Sequence, residues 1–126
     1  MILIIGGAYQ GKLNYALQRF ALGEEDVFHC SDSDVMTPQG RRIIYGLESW
    51  LLALIDAKRE ISTELTRFME LNEQGIVIAC DISAGIVPLD TRLRYWREVV
   101  SRSLVELSSH SEEVVRLFCG IATKIK

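Results

Sequence analysis

Glycines and a lysine follow the first apolar run of the chain, MILII. The next residues are GGAYQGK, in which four residues separate Gly6 from Gly11 and Lys12 comes directly after. This spacing matches the G-x-x-x-x-G-K part of a nucleoside-triphosphate phosphate loop, whose lysine reaches the β- and γ-phosphates. Glycines let backbone amides approach a phosphate, and the helix expected from Lys12 points its positive end at the same place. The alternative is a tight turn between a strand and a helix, with a solvated lysine. The predicted cofactor-binding residues of the loop are Gly6, Gly7, Ala8, Gln10, Gly11, Lys12 and Leu13.

Position 13 departs from the phosphate-loop pattern. The pattern places Ser or Thr there, and its hydroxyl binds Mg²⁺, whereas this chain has Leu13. Asn14 lies about 100° further around the helix and is a poor substitute. We therefore expect ATP or GTP to bind through the loop, and we expect the contribution of Mg²⁺ to be weakened.

A nucleotide site also needs a carboxylate at a neighbouring strand end, because such a group holds the metal through water. Asp81 follows the apolar run IVIAC directly, so it is the first candidate for a catalytic and metal-holding role beside Lys12. Asp32 and Asp34 follow VFHC and are second choices. Aspartate is also favoured in turns and caps, which is the alternative interpretation of all three. The two histidines, at positions 29 and 110, have no nucleophile nearby in the sequence and are predicted to be structural.

Apolar patterning predicts alternating strands and helices. Continuous apolar runs predict buried strands at residues 1–5, 26–30, 76–80 and 114–119. Helical spacing predicts helices over residues 12–22, 41–55, 58–74 and 90–110, with 41–74 forming either one bent helix or two. Gly23 is placed to end the first helix, Asp90 is placed to cap the last, and Gly120 breaks the final strand. The alternation predicts an α/β fold, a single small P-loop NTPase-like domain over residues 1–126 with a mainly parallel sheet covered by helices. Ligands of such sheets bind at the carboxyl ends of the strands.

Composition and charge argue against some classes of partner and indicate a location for the protein. The 126 residues carry a net charge of -3, which argues against nucleic acid or an anionic membrane as a partner. No apolar run is long enough to span a bilayer, and no basic stretch precedes the first run as it does in a signal peptide. Cys30, Cys80 and Cys119 each end an apolar run and form no C-x-x-C pair. They are predicted to be small buried hydrophobes in a reducing compartment, which indicates a cytoplasmic location.

The motifs taken together resemble the adenosylcobinamide kinase / adenosylcobinamide-phosphate guanylyltransferase family. GGAYQGK is similar to that family's GGARSGKS loop, and DISAGIVP at residues 81–88 resembles its N-E-V-G-x-G-I-V-P segment. LRYWREVVSR resembles its R-x-F-R-D-x-x-G-R helix. The ending EEVVRLFCGIATKIK resembles D-E-V-x-L-V-V-x-G-x-x-x-K-I-K, and from Pro88 to Lys126 the match needs no gap.

The resemblance implies an enzyme of cobalamin biosynthesis. Members of this family phosphorylate the hydroxyl of cobinamide with ATP or GTP and then transfer GMP to that phosphate through a covalent guanylyl-histidine. The resemblance therefore implies a nucleotide and cobinamide as partners, a parallel-sheet phosphate-loop fold and assembly as a trimer. The functional positions that it carries over are Gly6, Gly11, Lys12, Asp81, Arg94 and Arg97.

Among the departures of this chain from the family pattern, two affect the expected chemistry. Leu13 replaces the hydroxyl residue, and the segment SDSDVMTPQGRR has no histidine where the family has H-H-x-x-R-P. The guanylyltransferase step is therefore expected to be lost. One hypothesis is a cobinamide kinase-like transferase. The other is a degenerate, non-catalytic paralogue that acts as a nucleotide-binding, partner or regulatory subunit. A third interpretation is a scaffold domain whose glycines only form a turn.

Overall fold

A mostly parallel sheet forms the centre of the protein in a computed structural model that describes residues 1–82 and 87–126. Its strands are β1 (Ile2–Gly6), β2 (Val27–His29), β3 (Ile43–Tyr45), β4 (Ile76–Cys80), β5 (Glu113–Phe118) and β6 (Ile121–Lys124). The helices are α1 (Lys12–Phe20), α2 (Leu47–Asp56), α3 (Ile61–Leu71) and α4 (Thr91–His110), with a 3₁₀ turn at Glu24–Asp26. Within the described residues the strand order is β2-β3-β4-β1-β5-β6, and only β6 runs antiparallel to its neighbour. The predicted α/β fold with a mainly parallel sheet is confirmed.

Strand β1 is buried on both faces of the sheet. Leu3 packs into a core with Trp50 of α2 and Phe68 of α3. Ile4 points to the opposite face and packs into a second core with Ala16 of α1. Because helices cover both faces of this strand, its sequence is a continuous apolar run rather than an alternating one.

The predicted helix over residues 41–55 is wrong in its first part. Residues Ile43–Tyr45 form β3, which pairs with β2 and β4, and α2 begins only at Leu47. Ile44 continues the helical spacing of the residues that follow it, but β-branched side chains also suit a pleated strand. Gly46 has φ +83°, a left-handed conformation that separates the strand from the helix. Residues predicted as one helix therefore form a strand, a turn and a shorter helix, and the turn lies at the carboxyl end of β3.

The ends of the other helices can be compared with the predicted turn and cap residues. Residues 41–74 contain two separate helices, with Lys58 between them at φ +56°. The Asp90 cap is confirmed, since its carboxylate accepts hydrogen bonds from the N–H groups of Arg92 and Leu93 at 2.8 and 3.2 Å. The assignment of Gly23 to the end of α1 is wrong, because the left-handed residue that ends this helix is Ala21, with φ +53°.

The carboxyl-terminal tail folds back as a strand. Cys119 and Gly120 have φ +51° and +76°, and they link β5 to β6 as a two-residue turn. The break at Gly120 is confirmed, but the sequence did not indicate that IATK beyond it forms β6. This hairpin places β6 at one edge of the sheet.

Helix length and cysteine burial bear on two expectations drawn from composition. Across residues 1–82 and 87–126, no helix combines the length and apolar character needed to cross a bilayer. The prediction that all three cysteines are buried is wrong, since Cys30 and Cys80 are half-buried and Cys119 is exposed on the hairpin turn. The end of an apolar run marks the rim of the sheet, where burial is incomplete.

Candidate functional site

A cavity of about 340 Å³ opens at the carboxyl ends of β3 and β4, beside the loop that joins β1 to α1. The predicted residues Ala8, Gln10, Gly11, Lys12 and Leu13 all line it, and Glu48 of α2 lies in the same lining. The position agrees with the expectation that ligands of a parallel sheet bind at the carboxyl ends of the strands. The structure thus brings most of the predicted loop residues to one concave surface.

Glycines shape both ends of the β1–α1 loop. A β-carbon at Gly6 would lie 2.6 Å from the carbonyl oxygen of Leu117 in β5, so the strand can pass there only without a side chain. Gly11 has φ +83°, which favours glycine, and it directly precedes the first residue of α1. Because Gly11 has no capping side chain, the first amides of α1 have hydrogen bonds to offer another acceptor.

We expect Gly6→Ala to destabilise the protein and Gly7→Ala to change its stability little. A methyl group at Gly6 must push β1 and β5 apart, and overpacking of this kind costs about 1–3 kcal/mol. At Gly7 the nearest atom to an added β-carbon is Cγ of Gln10 at 3.9 Å, an ordinary contact. Denaturant unfolding of both variants measures the difference, and equal free energies of unfolding would contradict the close approach of the two strands.

Lys12 is the buried cation of this site. Its residue surface is only 7% exposed, and its Nζ donates a hydrogen bond of 2.6 Å to the carbonyl oxygen of Gly7. An ammonium group has three protons to donate, and in the described structure Gly7 takes one of them. Burying a charge is costly unless it is paired, so a bound anion that accepts hydrogen bonds from this ammonium would stabilise Lys12 further.

Glu48 is the carboxylate of the cavity, and the sequence interpretation missed it. Its Oε2 accepts a hydrogen bond of 2.9 Å from the N–H of Cys80 at the end of β4. Its backbone carbonyl accepts one of 2.7 Å from the indole N–H of Trp96 in α4. Burial raises the pKa of the Glu48 carboxyl above its usual range, although the Cys80 N–H and the positive charge of Lys12 act in the opposite direction. The sequence did carry a signal for this arrangement. A short β-branched run followed by Gly46 and Glu48 is typical of a strand, a turn and the start of a helix.

Cys30 and Cys80 share this electrostatic environment. Burial raises the pKa of the Cys30 thiol to about 12, with a further rise from the negative charge of Glu48. Burial also raises the pKa of the Cys80 thiol, and the charge of Lys12 opposes that rise. Both thiols are therefore protonated at neutral pH and unsuited to act as thiolate nucleophiles.

Asp81 occupies the predicted strand end but lines a different cavity. Its N–H donates a hydrogen bond of 2.8 Å to the carbonyl oxygen of Gly6, which ties the ends of β4 and β1 together. The cavity beside it has a volume of about 220 Å³ and also takes in Gly7 and Arg116. Gln10 lines both cavities, and its side-chain oxygen accepts a hydrogen bond from the N–H of Cys119. The structure therefore places Lys12 and Asp81 in adjoining cavities that share Gln10.

The two predicted arginines lie on α4. Arg94 is exposed and donates a hydrogen bond of 3.2 Å to the hydroxyl of Thr91, while Arg97 is half-buried. Among the described residues, neither arginine lines the cavity around Lys12. Residues 83–86, the centre of the DISAGIVP segment, lie outside the described residues. The assignment of both arginines to a nucleotide stays a prediction.

The other acidic and histidine candidates lie on local turns and at element ends. Asp34 accepts a hydrogen bond of 3.0 Å from the N–H of Met36, a typical use of aspartate in a turn. The Nε2 of His29 lies 3.1 Å from a carboxylate oxygen of Glu24, on the protein surface. The described residues contain no group of three or more His, Cys, Asp or Glu side chains placed to hold a metal by themselves.

Leu13 has contacts of two kinds. It is half-buried and packs against the core that lies between α1 and the sheet, the same core that contains Ile4. It also lines the cavity next to Lys12. Position 13 thus lies at the site, as the loop pattern requires, and contributes to packing as well.

The fold and the cavity define a class, a small α/β protein with a mostly parallel sheet and a polar cavity at the carboxyl ends of its strands. No protein-family model and no curated protein sequence matches this chain.

Proposed function

We propose that the protein is a cytoplasmic nucleotide-binding protein that holds the phosphates of ATP or GTP at the β1–α1 loop. The observation that carries this proposal is the buried ammonium of Lys12 at the start of α1, inside a cavity lined by that loop. The ammonium, the uncapped amides of α1 and the positive end of the helix all favour an anion at the same place. The three free cysteines suit a reducing compartment.

The volume of the cavity supports a phosphorylated small molecule rather than a simple ion. Ligand pockets in proteins have volumes of about 300–1,000 Å³, and this cavity of about 340 Å³ lies at the lower end of that range. It can hold the phosphate chain, with the nucleoside extending outward. Gly11, at φ +83°, turns the loop backbone directly before α1, while Gly6 lets β1 pass close to β5.

Mg²⁺ fits the residues of the cavity through Glu48 rather than through position 13. Leu13 offers no oxygen, but the carboxylate of Glu48 lines the same cavity as Lys12. Proteins commonly bind Mg²⁺ through one or two carboxylates together with substrate phosphates. When bound there, the ion would neutralise phosphate charge, while Lys12 would bind and orient the phosphate chain.

The activity that we propose is phosphoryl transfer to the hydroxyl of cobinamide, as in the kinase step of the family that the motifs resemble. The loop, Lys12 and the second cavity beside Asp81 support a donor site next to a place for an acceptor. The covalent guanylyl step is not part of the proposal, because the segment 31–42 contains no histidine.

The second candidate function is a non-catalytic, nucleotide-binding partner or regulatory subunit. The packing of Leu13 favours it, since a leucine that contributes to the core replaces the hydroxyl that would assist transfer. The two candidates share the binding site and differ in whether phosphate leaves the nucleotide.

Calorimetric titration with ATP and GTP, with and without Mg²⁺, tests the binding that both candidates require. Absence of any heat of binding at millimolar nucleotide would contradict the proposal. Incubation with cobinamide and nucleotide labelled at the γ-phosphate then separates the candidates. Label on cobinamide supports the kinase, whereas binding without transfer supports the regulatory subunit.

We expect Leu13→Ser to increase the dependence of nucleotide binding on Mg²⁺ while lowering stability by about 1–3 kcal/mol. The hydroxyl would stand where a phosphate loop binds the ion, and the lost packing is that of a half-buried leucine, at the lower end of large-to-small core substitutions. Titrations with and without Mg²⁺, together with unfolding curves, measure both effects. A destabilised variant with no gain from Mg²⁺ would show that the loop has become a structural turn.

A further inference from the structure

Among the strands of the described residues, β6 is the most exposed. All four of its residues are exposed, and in the described part of the chain no strand pairs with its outer side. Three large apolar side chains at this edge are exposed: Ile121 in β6 is 68% exposed, and Phe118 and Ile125 beside it are 63% and 59% exposed. An exposed edge with apolar side chains is a template for pairing with another strand.

The hairpin geometry determines which backbone groups of β6 point outward. In a two-residue hairpin the flanking pair, Phe118 and Ile121, exchanges hydrogen bonds, and so does every second pair beyond it. The N–H of Ile125 still donates a bond of 2.8 Å to the carbonyl of Val114, but the N–H of Val114 donates to the carbonyl of Lys126 at 3.3 Å, so the regular pairing gives way to a bulge just beyond β6. The N–H and C=O groups of Ala122 and Lys124 therefore point away from β5.

The side chains of β6 alternate between the two faces of the sheet. Ile121, Thr123 and Ile125 share a face with Phe118, because their positions alternate with Ala122 and Lys124. On this face a depression of about 400 Å³ is lined by Arg116, Phe118, Thr123 and Ile125. The apolar surface is therefore concentrated on one side of an open edge.

We propose that two copies of this chain dimerise by pairing their β6 strands antiparallel, about a two-fold axis at Thr123, in place of the trimer that the family resemblance implies. In this register Ala122 exchanges both outward hydrogen bonds with the partner's Lys124, and Ile121 lies opposite the partner's Ile125. The two sheets join into one continuous sheet. The contact uses the same patch on both copies, as a two-fold interface requires.

The sequence of the strand favours a second copy in this register. IATKI has isoleucines at equal distances on both sides of Thr123, so the strand is complementary to its own reverse. A register centred on Lys124 would place two lysines directly opposite each other, which is destabilising. A register centred on Ala122 would leave Ile125 facing the hairpin turn. Only the register at Thr123 pairs the outward backbone groups, matches the isoleucines and separates the lysine charges.

The other lysine of the tail does not oppose this pairing. The Nζ of Lys126 donates hydrogen bonds of 3.0 Å to the carbonyl oxygens of Ser108 and Ser109, in the last turn of α4. A cation at the carboxyl end of a helix is stabilised there by the helix dipole. The charge of Lys126 is thereby held against its own subunit and away from the partner strand.

Disulfide trapping tests the register. In a non-hydrogen-bonded antiparallel pair the two α-carbons lie about 4.5 Å apart, within the range that a disulfide spans. Thr123→Cys should therefore form a covalent dimer under mild oxidation, in a Cys119→Ser background that removes the exposed native thiol. Ala122→Cys is the matched control, because it lies opposite the partner's Lys124, and it should cross-link much more slowly.

Sedimentation of the unmodified chain tests the assembly itself, independently of the nucleotide proposal. We expect a dimer that Lys124→Pro converts to a monomer, since proline removes an outward N–H and leaves the β5–β6 hydrogen bonds in place. Circular dichroism checks that this variant is folded, and Lys124→Ala, which keeps the N–H, should remain dimeric. A wild-type monomer, a trimer, or equal cross-linking at positions 122 and 123 would overturn the proposal.

Discussion

Lys12→Ala is expected to weaken the binding of ATP or GTP by about 1–3 kcal/mol, or about 5- to 150-fold, which is the scale of a lost charge-assisted contact. The reason is geometric, since the ammonium is buried at the start of α1 and faces the cavity. Removing it leaves the phosphates to the backbone amides alone. Calorimetric titration of the variant and the wild type measures the difference directly.

The control for this variant is Lys124→Ala, which removes the same charge from an exposed strand outside the cavity. Both variants lower the net charge equally, so a loss of affinity common to both would be a long-range charge effect. Equal affinities for the two variants would contradict the role of Lys12. Melting temperatures recorded without nucleotide show whether the loss of the hydrogen bond to Gly7 has disturbed the loop.

Local spacing explains why the β1–α1 loop could be predicted from the sequence. The glycine positions, the lysine and the following helix lie within a few residues of one another, and their physical roles are local. The conformation of Gly11 and the start of α1 at Lys12 agree with that prediction. The buried strands at residues 76–80 and 114–119 could also be predicted, because a continuous apolar run of this length is typical of a buried strand.

The arrangement around Glu48 could not be predicted in the same way. A short β-branched run that precedes a helix has the same apolar spacing as the helix itself, so β3 was assigned to a helix and the turn at Gly46 was missed. Whether a carboxylate lies in one cavity or its neighbour depends on strand order and on side-chain direction. Asp81 was placed at the correct strand end, but the cavity that it lines depends on the packing of β5 against β1.

The β5–β6 hairpin also depends on contacts between residues that are distant from the local sequence pattern. Gly120 indicated a break in the chain, and it is one. The return of IATK as β6 depends on pairing with β5, which no pattern within four residues can specify. Non-local pairing is thus the part of this fold that the sequence left open.

Glu48→Gln is expected to strengthen Mg²⁺-free nucleotide binding about tenfold, or by about 1.4 kcal/mol, and to reduce the benefit of Mg²⁺. Glu48 and the phosphates would be negative charges in the same cavity, so without a cation they repel each other. With Mg²⁺ the carboxylate becomes a ligand, so its loss removes part of that gain. The glutamine carbonyl still accepts the hydrogen bond that the N–H of Cys80 now donates to Glu48.

The same substitution should change how stability depends on pH. Burial raises the pKa of the Glu48 carboxyl above the ordinary value of 4.5, so this carboxyl holds its proton to a higher pH in the folded protein than in the unfolded chain. The wild type therefore loses stability as the pH rises from the unfolded-state pKa through the folded-state pKa, and the loss is complete above the latter. Glu48→Gln has no such loss, so its stability relative to the wild type should rise over that interval and level off at higher pH. Glu106→Gln, which removes an exposed carboxylate of α4, is the matched control and should leave both the pH profile and nucleotide affinity unchanged. Titrations that show no change in Mg²⁺-free affinity, together with a flat stability difference between the ordinary carboxyl pKa and neutral pH, would remove Glu48 from the site.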